Sequence, residues 1–403
     1  MTMNILFLTM SDFYDINDRT IYTDLMRKFR DEGHNVYIVT PRERRHGRPT
    51  EDVLKDGVHV LWVKTLNLFD TNLIEKGLGQ VSIEYLYSRA IKKHFSDVSF
   101  NLILYSTPPI TLLGVIKEMK RLHPKAKSYL MLKDIFPQNA VDMGILKTTG
   151  LKGLLYKFFR NKEKGLYEVS DNIGCMSPAN VSYVLKHNPW ISQEKVEICP
   201  NSIELVEDRF EYDRNAILEK YGVPKDKHIF IYGGNLGRPQ GIPYLIQCLN
   251  ANKDREDCFF IVVGSGTYYS DLNNWYEKNN PKSVKVMKGL PKADYDKLVR
   301  ACNVGLIFLD YNFQIPNFPS RLLSYLEYKM PVIACTDPNC DSGQIANENG
   351  FGMWVPSNNV EAFTDSVNKM LQLDIKSMGE KGYQYLKENY LVDNTYNAII
   401  KHF

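Results

Sequence analysis

With 403 residues, 44% of them hydrophobic and 24% charged, the chain has length for two globular domains and is too apolar to be disordered or fibrous. No uninterrupted apolar run approaches the roughly 18 residues of a membrane-spanning helix, which excludes a helical integral membrane protein. The net charge of +3 is unevenly spread: residues 1–200 hold 28 Lys and Arg against 22 Asp and Glu, and residues 117–164 alone hold 12 against 4. That stretch suits an anionic partner, but it lacks interleaved aromatic residues and any nucleic-acid motif, so no DNA or RNA binding is expected.

In chain order, Asn4–Met10 comes first, with no preceding basic residues and no small-residue cleavage site. It reads as a strand and not as a signal peptide. Asn35–Thr40, His59–Val63, Leu102–Ser106, Ser128–Leu132, Asn172–Met176 and Val196–Cys199 follow, most of them continuously apolar, as central strands covered on both faces are. Residues 201–227 are polar, hold one short helical segment near Arg214–Tyr221, and form the expected interdomain connection. A second series then begins with His228–Tyr232 and continues through Phe259–Val263, Val284–Met287, Gly305–Leu309, Val332–Cys335 and Gly352–Val355. Amphipathic segments alternate with these strands, which predicts an α/β protein of two doubly wound parallel sheets. The domains are expected at 1–205 and 206–384, with the helical segment 385–403 returning to complete the first. Seven cysteines, none in C-x-x-C spacing and several inside apolar runs, point to buried free thiols in a reducing cytosol.

Ligands of doubly wound sheets bind beyond the carboxyl ends of the strands, so four segments stand out. Gly233-Gly234-Asn235-Leu236-Gly237-Arg238-Pro239-Gln240-Gly241 follows the first strand of the second half, where glycines let backbone N–H groups approach an anion and Arg238 adds charge. Gly264-Ser265-Gly266 is a second small-residue turn, and glycine serves turn geometry about as often as ligands. Pro316-Asn317-Phe318-Pro319-Ser320-Arg321 runs into a helix with Ser320 as the expected N-cap and Arg321 in the first turn, beside Ser324 and Glu327. Lys133-Asp134 follows a first-half strand and reads either as site residues or as a surface ion pair.

Together with Pro200-Asn201, Gln240-Gly241 and Pro331-Val332-Ile333-Ala334, these segments resemble glycosyltransferase family 4 over nearly the whole chain. The Phe-Pro-Ser-Arg and Lys-Asp-Ile-Phe-Pro-Gln signatures look most like bacterial capsule and O-antigen N-acetyl-L-fucosaminyl transferases. The resemblance implies the GT-B fold, two doubly wound domains across a cleft. It implies a UDP-sugar donor in the second domain and an undecaprenyl-diphosphate-linked sugar acceptor in the first. Gly234, Asn235, Gly237, Arg238 and Gly264 would then lie at the diphosphate with Arg321, the Gly289-Leu290 backbone would border the uracil, Ser324 would face the ribose, and Asn317, Ser320 and Glu327 would complete the donor site. Asp134 and Lys133 would be the catalytic candidates. The chain also departs from the family: its usual paired glutamates fall on Pro316 and Ser324, its phosphate-loop Arg and Lys on Asn235 and Gln240, and its first-domain histidine on Lys133.

Glycosyl transfer builds negative charge on the leaving nucleoside diphosphate, which backbone N–H groups and cations can stabilise. The sequence has no D-x-D carboxylate pair of the metal-binding kind, so a metal-independent enzyme without cofactors is expected, and the resemblance implies retention of configuration. A UDP-sugar epimerase of the same fold and a non-catalytic partner of another transferase are the alternatives. Leu151, Leu154, Leu155, Phe158 and Phe159 share a helical face with Lys152, Lys157, Arg160 and Lys164 mostly elsewhere. That pattern fits an interfacial helix or a buried crossover helix equally. The charge around it, with the implied acceptor, favours a cytoplasmic protein held peripherally on an anionic membrane surface.

Overall fold

The structure, a computed structural model, describes residues 2–11, 15–69, 71–205 and 212–403. The chain divides into two compact units, Met1–Glu204 with Val392–Phe403, and Leu205–Leu391. The boundary expected at 205/206 adjoins residues 206–211, which lie outside the described residues. The helix Ile375–Asn389 belongs to the second unit, so the returning segment begins at Val392 and not at 385.

The first unit carries β1 (Asn4–Leu8), β2 (Asn35–Glu43), β3 (Glu51–Lys55), β4 (Val58–Thr65), β5 (Leu102–Thr107), β6 (Lys127–Leu132), β7 (Asn172–Cys175) and β8 (Val196–Ile198). Their order across the sheet is β3-β4-β2-β1-β5-β6-β7-β8. Every pairing is parallel except β3 with β4. All six residues of β5 are buried, the outcome its unbroken apolar run predicts for a strand covered on both faces. β3 is the strand missing from the sequence reading. Its residues Glu-Asp-Val-Leu-Lys are half-buried or exposed, so no apolar run announces it. The pair Asp56-Gly57, at φ 47° and 78°, closes a two-residue hairpin between Lys55 and Val58, and such a dipeptide is itself a hairpin signal.

The returning helix Val392–Ile400 packs on the helix Ile21–Asp31. Val392 and Ile399 enter the core beside Phe29, the Tyr396 ring meets Phe29 edge-on at 5.1 Å, and Thr395 Oγ1 donates to the Pro200 carbonyl at 3.0 Å.

The second unit carries β9 (His228–Asn235), β10 (Cys258–Ser265), β11 (Val284–Lys288), β12 (Val304–Phe308), β13 (Val332–Thr336) and β14 (Gly352–Pro356), all parallel, in the order β11-β10-β9-β12-β13-β14. The chain winds outward from β9 to β11, then returns to start again at β12. The order reverses between β9 and β12, the switch point beyond whose carboxyl end such sheets bind ligands. All seven cysteines are buried free thiols. Among the described residues, no helix is long and apolar enough to cross a membrane.

Candidate functional site

At the switch point of the second unit, β9 extends through Gly233, Gly234 and Asn235, so these residues belong to the strand and not to the loop after it. Register aligns Gly234 with Gly264 of β10 and Lys288 of β11, giving the sheet a thin edge of backbone. Two of these glycines answer to packing. A Cβ on Gly264 would lie 2.0 Å from the Gly234 carbonyl oxygen, and one on Gly233 would lie 1.9 Å from the Tyr295 hydroxyl. Gly234 differs: it is exposed, at φ 122°, and the nearest side-chain atom to its missing Cβ is Arg321 Nη2 at 3.5 Å.

Arg321 opens the helix Arg321–Glu327. Ser320 occupies the N-cap position but its side chain makes no capping hydrogen bond, contrary to the capping expected of it. The guanidinium lies over the Tyr232 ring, 4.3 Å from its centre. Burial raises the Tyr232 and Tyr295 phenols, the latter to about 12, while the neighbouring Arg321 pulls both back. Tyr325 braces the cage by donating to the Ile231 and Leu306 carbonyls at 3.1 and 3.2 Å. The Nη1 atom of Arg321 is buried without a hydrogen-bond partner among the described residues. A cation held over a ring face, with a donor unsatisfied, is a costly arrangement that an anionic ligand would relieve. The tyrosine cage carried no signal in the sequence, where Tyr232 and Tyr325 read as apolar strand and helix positions.

The remaining candidates spread around this centre. Asn235 Nδ2 donates to Gln240 Oε1 at 3.1 Å, so the neutral residues at the family's two basic positions bond to each other. Arg238 is exposed on the turn Arg238–Gln240, and Gly237 is buried against the Asn235 and Gln240 side chains. Gly289 is exposed with Ser265 Oγ 3.7 Å from its Cβ position, and Leu290 beside it is half-buried. Asn317, Ser324 and Glu327 are half-buried, and the Asn317 carbonyl accepts from the Cys340 thiol at 2.9 Å.

In the first unit, Lys133 and Asp134 point to different partners, which removes the ion-pair reading. Lys133 Nζ reaches the Cys199 and Pro200 carbonyls at 3.5 and 3.4 Å, and burial lowers its pKa. Asp134 Oδ2 accepts from Asn139 Nδ2 at 2.6 Å, and burial raises its carboxyl to about 6 against the pull of the Ile135 N–H and Asn139.

Neither residue lines the cavity found beyond the carboxyl ends of this unit's strands. That cavity, of about 700 Å³, lies among Met10 and Ser11 after β1, Glu43 at the end of β2, Leu68 and Phe69 after β4, and Pro108 and Pro109 after β5, with Arg45, His46, Lys76 and Gln80 completing it. The strand order reverses here too, between β1 and β5. None of these residues stood out in the sequence, because separate chain segments supply them.

The helix Gly150–Val169 is divided along its length. Glu163, Gly165, Leu166 and Tyr167 are buried, whereas Leu151, Leu154 and Phe158 are 87%, 65% and 50% exposed and Leu155 is exposed beside them. The crossover reading therefore holds for its second half only.

Residues 213–389 match the family described as glycosyl transferases group 1. The chain is 23% identical over 332 residues to a probable glycosyltransferase, WbjE, of Pseudomonas aeruginosa, covering 79% of this chain and 77% of that one. It is 24% identical over 220 residues to WcaI of Escherichia coli, a putative colanic acid biosynthesis glycosyl transferase, covering 53% and 52%. Among solved structures, sucrose-phosphate synthase of Thermosynechococcus elongatus superposes over 99% of this chain and 98% of its own with a TM-score of 0.75 at 14% identity. HepE of Anabaena, solved in complex with UDP and glucose, superposes over 99% of both chains with a TM-score of 0.69, also at 14% identity. Two parallel-sheet α/β units give the chain the GT-B fold, and the match to glycosyl transferases group 1 lies within its second unit.

Proposed function

We propose that the protein is a glycosyltransferase of bacterial surface polysaccharide synthesis that takes its sugar from a UDP-sugar bound in the second unit. The observation that carries this reading is Arg321, half-buried, whose buried Nη1 has no hydrogen-bond partner among the described residues, beside the bare backbone of Gly234 at the sheet's switch point. A diphosphate satisfies both features at once. The matched glycosyl transferases group 1 domain covers this site, and the similarity to WbjE and WcaI supports the polysaccharide context. The N-acetyl-L-fucosaminyl assignment rests on the sequence signatures at 133–138 and 318–321.

In transfer, the bond from the sugar's anomeric carbon to the diphosphate oxygen breaks, its electron pair leaves with UDP, and the anomeric carbon bonds to an acceptor hydroxyl oxygen. Arg321, with Arg238 on the neighbouring turn, stabilises the charge that grows on the diphosphate. Asp134, ionised at neutral pH with a carboxyl near 6, is the candidate to accept a hydrogen bond or proton from the acceptor hydroxyl. Retention of configuration and independence from metal are parts of the same proposal.

The acceptor is a lipid-diphosphate-linked sugar reached at an anionic membrane. The exposed apolar turns of Gly150–Val169 support this docking: residues 143–162 contain no Asp or Glu but do contain Lys147, Lys152, Lys157, Arg160 and Lys162.

The replacement of the paired glutamates by Pro316 and Ser324 favours the second reading, a non-catalytic partner of another transferase. One assay decides. UDP release from a panel of UDP-sugars, with and without prenyl-diphosphate-linked acceptor and in excess EDTA, should show acceptor-dependent release that survives the chelator. UDP binding without release under any combination would select the partner reading, and rescue by magnesium after EDTA would overturn metal independence.

A further inference from the structure

Asp134 is a carboxylate whose charge is held without a cation. Among the described residues its side chain has two donors, the Ile135 backbone N–H and Asn139 Nδ2, the latter 2.6 Å from Oδ2. The charged residues near it in the chain are engaged elsewhere: Lys133 reaches the Cys199 and Pro200 carbonyls, and Asp142 Oδ1 accepts from Gln138 Nε2 at 2.8 Å. Thr107 Oγ1 donates to the Asp134 carbonyl at 3.2 Å, which ties this backbone to the end of β5. Among the described residues, the side chain that sets the direction of the carboxylate is therefore that of Asn139.

Asn139 is 9% exposed, and its backbone is fixed on both sides: its N–H donates to the Ile135 carbonyl at 3.0 Å, and its carbonyl accepts from the Met143 N–H at 3.0 Å. A carboxylate only accepts, so the amide turns Nδ2 to Asp134 and Oδ1 away. That Oδ1 atom is buried and has no hydrogen-bond partner among the described residues. An orphaned buried acceptor is unfavourable, and a leucine of similar shape would leave none. Packing alone argues against asparagine here, whereas the orientation of a carboxylate argues for it.

We infer that Asn139 is a positioning residue, which aims the Asp134 carboxylate at the acceptor hydroxyl and favours its ionised form. This rests on the reading of Asp134 as the group that takes the hydroxyl proton. As the acceptor oxygen bonds to the anomeric carbon, its proton passes to Asp134, and the same amide, rotated by half a turn, presents Oδ1 to the new carboxylic O–H. One side chain thus serves both protonation states, which a group that only donates or only accepts cannot do.

The test compares Asn139→Leu and Asn139→Ala with wild type in the full chain. Nδ2 stabilises the charged form, so its loss should raise the Asp134 carboxyl by about one pH unit from its value near 6. The carboxyl is read without substrate, as the pH dependence of the difference in urea stability between each chain and the same chain carrying Asp134→Asn. In acceptor-dependent UDP release the acidic limb of the kcat profile should move up equally, so that kcat falls about tenfold at pH 5.5 and far less at pH 8.5, while the donor KM and UDP affinity stay within twofold. At pH 4, where the carboxyl keeps its proton, Asn139→Leu should unfold at about the urea concentration of wild type, because it removes the orphaned Oδ1. Loss of folding in both variants at pH 4, or an acidic limb and a carboxyl that stay in place, would make Asn139 a structural residue and overturn the inference. A carboxyl that moves in urea while Asp134→Asn turns over at the wild-type rate would leave the contact standing and overturn the proton-acceptor reading on which its role depends.

Discussion

The two switch points of this molecule are built from opposite materials. In the second unit the edge is backbone: Gly233 and Gly264 leave no room for side chains, Gly234 stands bare at φ 122°, and one arginine over a tyrosine ring supplies the charge. In the first unit the wall is side chains from separate segments, with a cavity between them. Backbone recognises what is common to many ligands, such as a diphosphate, and is intolerant of substitution. Side chains recognise what is particular, and single replacements there change preference before they change the fold.

The largest test of that contrast is Gly264→Ala. Its added methyl meets the Gly234 carbonyl, which cannot step aside, so unfolding stability should fall by about 3 kcal/mol. A melting temperature within a degree of wild type would show the edge to be softer than its geometry. Next comes Arg321→Ala, which removes a charge-assisted contact worth about 1.5–3 kcal/mol and should weaken UDP by one to two orders of magnitude in calorimetry. Equal affinity would remove the donor site from this unit's switch point.

Asp134→Asn gives a smaller effect with a definite sign. Burial holds the carboxyl near 6 in the folded chain, above its unfolded value near 4, so the folded state keeps the proton between those values. Stability from this group is full below about pH 4 and is lost as pH rises to 6. Replacement by Asn should therefore add about 1–2 kcal/mol at pH 7 and nothing at pH 4 by urea denaturation, while turnover drops and UDP affinity holds. Wild-type turnover would make Asp134 a purely structural carboxyl. The smallest effect is at the basic helix: Lys152→Ala and Lys157→Ala should each reduce binding to anionic vesicles by about 1 kcal/mol at low salt, and less at high salt. Co-sedimentation of neither the variants nor the wild type would leave the exposed turns of 151–158 without a lipid partner.

Among the described residues, thirteen of the fourteen strands coincide with strands read from the sequence, most of them as apolar runs of the kind that burial on both faces demands. β3, exposed and polar, had only its Asp-Gly turn to betray it. The donor edge was half legible. Local chemistry picked out its glycines and Arg321, but not that Gly233 and Gly264 answer to packing, nor that three tyrosines distributed over 90 residues converge on the arginine. The first-unit cavity left no trace, since Ser11, His46, Lys76 and Pro109 become neighbours only through the crossing order of β1, β2, β4 and β5.

The return of Val392–Ile400 to the first unit bears on synthesis. The second unit is one continuous stretch, 205–391, whereas the first lacks Val392, Tyr396 and Ile399 from its core until residue 400 has been made. On the ribosome, then, the part begun later is complete sooner, and the part begun first must wait with the face of Phe29 and His34 uncovered. A chain stopped at 391 would injure the unit nearly 200 residues upstream and spare the one it had just finished.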